Sequence, residues 1–208
     1  MSLTIIRLVV GPVEANAYVV TADGATVVID PGADAPRIAA ALSERAAAPS
    51  AIWLTHAHFD HLGAVADLRE THAVPVLLHP ADAPLYEGTA QQAAWFGMRV
   101  RPPGVDPVDL HDGQSLALGD HTFTVLHTPG HAPGHVAFYD AAAGVVFSGD
   151  ALFRGSIGRT DLPGCDPAAL DRSLRERLMV LPDDTRVLSG HGPETTIGHE
   201  RRTNPFLA

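Results

Sequence analysis

The segment Thr55-His56-Ala57-His58-Phe59-Asp60-His61 places three imidazoles and a carboxylate within six positions, directly after the apolar run at 50–55. Borderline divalent ions such as zinc accept both ligand types, and a turn leaving a strand can aim side chains at i, i+2 and i+4 into one space. A solvated polar turn accounts for a lone histidine. It does not account for this density. The four groups can serve two different ions, but each ion then needs further donors. Three more stand at the ends of apolar runs, each followed by glycine or turn residues: His131 in HTPGHAPGH, Asp150 in VVFSGD and His191 in VLSGHG. His72, His79, His111, His121, His127 and His199 carry no comparable spacing and read as capping, surface or structural residues. Cys165 is a lone loop cysteine with no assigned role.

These donors need elements to position them. Residues 4–10 and 16–22 are β-rich runs about Gly11-Pro12, and the strand in ATVVIDPG ends at Asp30-Pro31-Gly32, so the chain opens as a β-meander. Asp34 is expected to cap a helix over 34–48, with Pro36 in its first turn. Strands at 50–55 and 75–79 flank a helix over 62–72, which predicts a parallel crossover. Residues 80–105 read as one or two helices with a loop. Runs at 115–118, 121–127, 135–140 and 145–149 predict a second antiparallel set. Asp166 caps a helix over 166–181 with Leu170, Leu174 and Leu178 on one stripe, and RVLS at 186–189 reads as the last strand. The tract 152–164 reads as a turned surface loop or as a rim over the site. No linker separates the halves, which predicts one layered α/β domain over 1–208.

Composition removes several alternatives. All 14 basic residues are arginine, against 24 acidic ones, for a formal charge of −10. The absence of lysine excludes a Walker-type phosphate loop and a Schiff-base enzyme using its own lysine. The acidic balance argues against a broad nucleic-acid or membrane footprint. A single cysteine excludes cysteine-based zinc ribbons, CxxC redox centres and intrachain disulfides, and points to a reducing compartment, the cytoplasm. The N-terminal stretch is broken by Arg7, Gly11, Pro12 and Glu14, so it reads as strand and turn rather than a leader. No run of about 18 apolar residues marks a membrane span.

The strings HAHFDH, TPGH, SGD and GHG, in this order, resemble the metallo-β-lactamase superfamily along essentially the whole chain. Within it, FSGDALFRGSIGRTDLPG and HERRTNPFL are most similar to glyoxalase II, the hydroxyacylglutathione hydrolases, and their short bacterial relatives. The resemblance implies a four-layer αββα sandwich with a binuclear site at one edge. His56, His58 and His131 would hold one metal, Asp60, His61 and His191 the other, and Asp150 would bridge them. Zinc is the first expectation, with iron or manganese as alternatives. Asp30 and His135 are candidates for orienting the ligating imidazoles. Phe153, Arg154 and Arg159 are candidate rim residues, Arg159 being the better match to an anionic substrate tail.

The implied activity is metal-dependent hydrolysis of a small-molecule thioester, with a glutathione-linked hydroxyacyl substrate expected. A hydroxide shared by two ions would attack the carbonyl, Asp60 and Asp150 acting as ligands that tune it. A thiolate leaving group, with a parent pKa near 8.5, departs without a strong general acid, which suits such a site. The sequence departs from glyoxalase II in two places. Only the stretch after His191 remains where that enzyme carries an extra C-terminal helical region, and Gly158-Arg159-Thr160-Asp161 stands where the family has the Lys and Tyr that contact glutathione. Arg201 and Arg202 are the basic residues available to compensate. The alternative is a persulfide dioxygenase using one iron on His56, His131 and Asp150, since two histidines and a carboxylate with open positions suit iron and oxygen chemistry. A nucleic-acid processing hydrolase would need a clamp or a basic face. A noncatalytic metal module would favour a closed tetrahedron rather than seven N and O donors.

Overall fold

The structure, a computed structural model, describes residues 3–207. Strands β1 (Thr4–Val10), β2 (Ala15–Ala22), β3 (Ala25–Ile29), β4 (Ala51–Trp53), β5 (Val76–Leu78) and β6 (Val108–Asp109) form one sheet in that order. The first three are antiparallel, and β3 to β6 run parallel. The second sheet contains β7 (Ser115–Leu118), β8 (His121–His127), β9 (Val136–Asp140), β10 (Val145–Gly149), β13 (Arg186–Ser189) and β14 (Thr195–Thr196), in the order β14-β13-β10-β9-β8-β7. Between β10 and β13 a small hairpin, β11 (Leu152–Phe153) and β12 (Ser156–Ile157), stands apart.

Three apolar clusters make four layers of these sheets. Successive strand residues face opposite ways, so Tyr18, Val20, Val27, Ile29 and Trp53 meet Phe123, Val125, Phe138 and Phe147 between the sheets. Their neighbours Val19, Val28 and Ile52 face outward against Ile38, Leu42, Leu62, Val65 and Leu68 of the helices. On the other side Ala137, Val146 and Val187 pack against Leu170, Leu174, Leu178 and Ile197. The architecture is the expected αββα sandwich. Each fully buried large side chain contributes about 1.5–3 kcal/mol. The edge-to-face contact of Trp53 with Phe123, centroids 5.4 Å apart, adds directional packing.

Four sequence expectations are corrected. Helix α1 spans only Ala35–Ser43, and Asp34 does not cap it by side chain: the residue is left-handed, φ 54°, and its carboxylate accepts from Gly11 N–H instead. The helix expected over 62–72 is two pieces, α2 (Phe59–Leu62) and α3 (Val65–Thr71). They are split because Ala64 N–H bonds Pro31 O at 2.9 Å and Gly63 packs on Gly32 O, where a Cβ would overlap. In 80–105 the helical pieces include α4 (Ala83–Glu87) and α5 (Thr89–Trp95). Helix α6 (Pro167–Ser173), capped by Asp166 as expected, passes into a wider π-helical turn over Leu174–Leu178. An α-helix drifts by about 40° at each i+4 step, and the wider turn keeps Leu170, Leu174 and Leu178 on one buried face. RVLS is not the last strand: β14 and helix α7 (Ile197–Thr203) follow it.

Candidate metal centre

The C-terminal ends of β4, β8, β10 and β13 open onto one edge of the sandwich, and there the separated motifs converge. Donor atoms of His56, His58 and His131 lie within 4.8 Å of one another, as do those of Asp60, His61 and His191. Asp150 lies between the groups, its Oδ1 3.3 Å from His61 Nε2 and its Oδ2 3.6 Å from both His131 Nε2 and His191 Nε2. His191 Nε2 is 3.2 Å from Asp60 Oδ2. All seven side chains singled out as metal donors therefore share one space.

Hydrogen bonds dictate which imidazole atoms face that space. Asp30 Oδ1 accepts from Thr55 N–H at 2.8 Å, and its Oδ2 accepts from the Thr55 hydroxyl at 2.6 Å and from His61 Nδ1–H at 3.1 Å. Having spent its proton on Asp30, the Thr55 hydroxyl accepts from His56 Nδ1–H at 3.0 Å. His131 Nδ1–H donates to the Arg159 carbonyl at 2.8 Å. The tautomers of His56, His61 and His131 are thereby set with Nε2 inward. His56 Nε2, His61 Nε2 and Asp150 Oδ1 are buried without hydrogen-bond partners. Burying such atoms unpaired costs about 1–3 kcal/mol each, so the donor set fits a cation between them.

Electrostatics point the same way. Burial opposes a proton on His61, yet the charges of Asp150 and Asp60 beside it, with the hydrogen bond it gives Asp30, raise its pKa well above the usual imidazole value. Burial alone would push the Asp150 carboxyl up, but His61, His131 and His191 outweigh it and hold the group well below the carboxylate range. His58 is pushed down to about 3 by burial and by His131 beside it. A pocket that stabilises positive charge beside its carboxylates while suppressing it on His56 and His58 matches neutral imidazoles around a metal ion.

The loops are held by residues that spacing alone did not single out. Asn16 and Tyr18 of β2 reach across the sheets: Asn16 Nδ2 donates to Ser189 O at 2.8 Å and Gly192 O at 2.9 Å, and Tyr18 OH to Ser189 O at 2.6 Å, clasping the turn that carries His191. Gly190 packs so tightly that a Cβ there would overlap Asp150 Oδ1. A register shift where β10 meets β13, with Gly149 left-handed at φ 48°, turns Asp150 out of the sheet. His135 accepts from Asp150 N–H at 3.0 Å and its Nδ1 bonds Thr128 Oγ1, so it orients the Asp150 backbone rather than an imidazole. Asp82 is fully buried and accepts from Ala57 N–H and Gly134 N–H, tying the loop of His56 and His58 to that of His131. Burial raises its pKa to about 6 despite those two bonds. An acid followed by helix-forming residues, as in HPADAP, gave no sign of this role.

A cavity of about 480 Å³ opens over the cluster, lined by His58, Asp60, His131, Asp150 and His191 on its floor. Phe153 and Arg159 line it as well, the Phe153 ring 6.1 Å from that of His191. The Arg159 guanidinium forks onto Asp161 at 2.7 and 2.8 Å. Arg154 is elsewhere, in a separate hollow with Arg7, Tyr18 and Arg186. Arg201 and Arg202 pair with Asp183. In the HERRTNPFL string it is Glu200 and Asn204 that bear on the site, through Gly155 N–H and Ser156 O of the β11–β12 hairpin.

With this arrangement in view, the sequence profile of the metallo-beta-lactamase superfamily matches residues 10–191. The chain belongs to the metallo-β-lactamase superfamily. It is 44% identical over 207 residues to the "Probable metallo-hydrolase YqgX" of Bacillus subtilis, covering 97% of this chain and 96% of that one. It is 39% identical over 186 residues to the "Hydroxyacylglutathione hydrolase GloC" of Haemophilus influenzae, covering 86% of each. The crystal structure of TTHA1623 in a di-iron-bound form superimposes with a TM-score of 0.92 at 51% identity, covering 97% of this chain and all of that one. This superfamily chain is accordingly a metallo-hydrolase relative with a cluster suited to divalent metal. Among the described residues no helix is long and apolar enough to cross a membrane.

Proposed function

We propose that the chain is a binuclear metal-dependent thioesterase acting on a hydroxyacylglutathione or a similar small thioester. The observation that carries this reading is the pair of complete donor groups meeting at Asp150. Two divalent ions held by His56, His58 and His131 and by Asp60, His61 and His191, with Asp150 between, would polarise the acyl carbonyl and supply hydroxide near neutral pH. The side chains of this protein do the rest. Asp30, through Thr55 and His61, and the Arg159 carbonyl keep protons off the inward nitrogens. Phe153 lines the cavity beside the donor cluster, and Arg159 stands where an anionic tail could displace Asp161.

The reaction adds water across the bond: the thioester gives a carboxylate, a thiol and one proton. The thiolate leaves unaided because its conjugate acid has a pKa near 8.5. The likeness to a protein named a hydroxyacylglutathione hydrolase supports the glutathione thiol. A single-iron oxygenase on His56, His131 and Asp150 would leave Asp60, His61 and His191 without a task, which favours the two-ion hydrolase. The lone Cys165 supports a reducing, cytoplasmic setting. The test is turnover of a small thioester panel by protein of measured metal content. Thiol release that follows about two zinc-like equivalents and needs no oxygen supports the proposal; one iron with oxygen uptake refutes it.

A further inference from the structure

The cavity is unequal on its two sides. On the α4–α5 side its wall is apolar, built from Leu85, Phe59, Trp95 and Phe96. The Phe59 and Phe96 rings lie 5.2 Å apart, and Gly97, left-handed at φ 71°, ends the helix so that the aromatic pair stays on its last turn. Trp95 is 61% exposed and Phe96 45% exposed. Of the exposed large apolar side chains among the described residues, these are the two that line the cavity. Apart from the candidate metal donors, the one charged side chain in the lining is Arg159, which is engaged by Asp161. Two glutamines of α5 also line this side: Gln92 has its amide committed to Ala57 O and Leu85 O, and Gln91 is exposed, so its amide can stay in water when the aromatic pair is covered.

An exposed aromatic pair continuous with a reactive centre is matched to an apolar ligand group, because covering it removes apolar surface from water and leaves no polar group unpaired. We infer that the substrate carries an aryl or branched-alkyl group that packs on Trp95 and Phe96 while its reacting carbonyl lies over the donor cluster. The inference rests on the thioesterase reading for the bond that is cleaved. It adds that discrimination among acyl groups comes from this wall, whatever thiol Arg159 meets. A second copy of the chain is the competing occupant of the aromatic pair. The wall's continuity with the floor residues His58 and Asp60 in one cavity favours the substrate.

The test compares phenylacetyl and acetyl thioesters of one thiol, N-acetylcysteamine, with metal-loaded protein. It also follows tryptophan emission on adding the uncleavable S-benzyl and S-methyl thioethers of that thiol. Trp53 is buried, so a change in emission reports on Trp95. The expected preference in kcat/KM for phenylacetyl is on the order of tenfold, carried by KM, and it collapses in Trp95→Ala. S-benzyl, but not S-methyl, blue-shifts or quenches the emission. Equal kcat/KM for the two thioesters, or emission that changes with protein concentration instead of with S-benzyl, overturns the inference and leaves the thioesterase reading intact. An S-benzyl shift without cleavage of either thioester upholds the wall and refutes the thioesterase reading. Neither a shift nor turnover refutes both.

Discussion

Replacing Asp30 by Asn removes the device that sets His61 without changing its shape. The carboxylate accepts three hydrogen bonds, from Thr55 N–H at 2.8 Å, the Thr55 hydroxyl at 2.6 Å and His61 Nδ1–H at 3.1 Å. A carboxamide has one oxygen. If that oxygen serves Thr55 N–H, the amide NH₂ faces both the hydroxyl and the imidazole, and His61 can accept only by moving its proton to Nε2. If the amide is flipped, its NH₂ meets Thr55 N–H in a buried site, donor against donor. Either way up to two of the three bonds are lost or reversed, each worth about 1.5–3 kcal/mol because the acceptor is charged. Partial rearrangement leaves an expected stability loss of about 2–4 kcal/mol.

The effect on metal should be unequal. Affinity at the group of Asp60, His61 and His191 should fall by about 10- to 100-fold, the range for losing an orienting carboxylate. The group of His56, His58 and His131 feels the change only through Thr55 and should weaken less. Competition titration against a chromophoric zinc chelator resolves the two equivalents. Proton NMR of the zinc-loaded protein should show a slowly exchanging low-field His61 Nδ1–H in the parent chain and none in the variant. An Asp30→Asn protein that binds both equivalents with parental affinity and keeps that proton refutes the reasoning.

Other outcomes follow from the same geometry. Gly190→Ala drives a methyl into Asp150 Oδ1 and toward His61 Cε1; metal analysis after dialysis should find at least one equivalent lost, while circular dichroism keeps the parental sheet signal. His131→Ala and Asp150→Ala should each lose metal and most thioester turnover, and full activity in either would remove that residue from the centre. The raised pKa of Asp82 has a signed consequence for folding. The proton is bound more tightly folded than unfolded, so its contribution is complete below pH 4 and is lost as pH rises through about 6. The rise corresponds to about 3 kcal/mol. Denaturant titrations between pH 4 and 7 should show the stability difference between the parent chain and Asp82→Asn shrinking by about that amount; a difference that stays constant with pH refutes the assignment.

Donor chemistry was legible in the sequence because it depends on residue type and local spacing. His56, His58, Asp60 and His61 sit on one turn, and His131, Asp150 and His191 each follow an apolar run that marks a strand, so strand ends are where they gather. That the chain forms one layered α/β unit was legible too: the near-continuous apolar runs of β2, β3 and β9 mark strands buried on both faces, while the four-layer arrangement was implied by the family resemblance. Boundaries were less legible. The helix over 62–72 divides where Ala64 N–H meets Pro31 O, and the π-helical turn after α6 answers to a core that its own residues do not specify.

What the sequence determined, then, was which groups are present and in which order they leave the sheets. What only the tertiary structure decided was which atom of each group faces the centre. Those choices are made by contacts across the chain: Asp30 on Thr55 and His61, the Arg159 carbonyl on His131, Asn16 on Ser189, Asp82 on Ala57 and Gly134. A hydrogen bond between residues far apart in sequence leaves no periodicity to read. It exists because packing brings a donor to an acceptor, and the same packing put Trp95 and Phe96 beside the floor while sending Arg154 to another face.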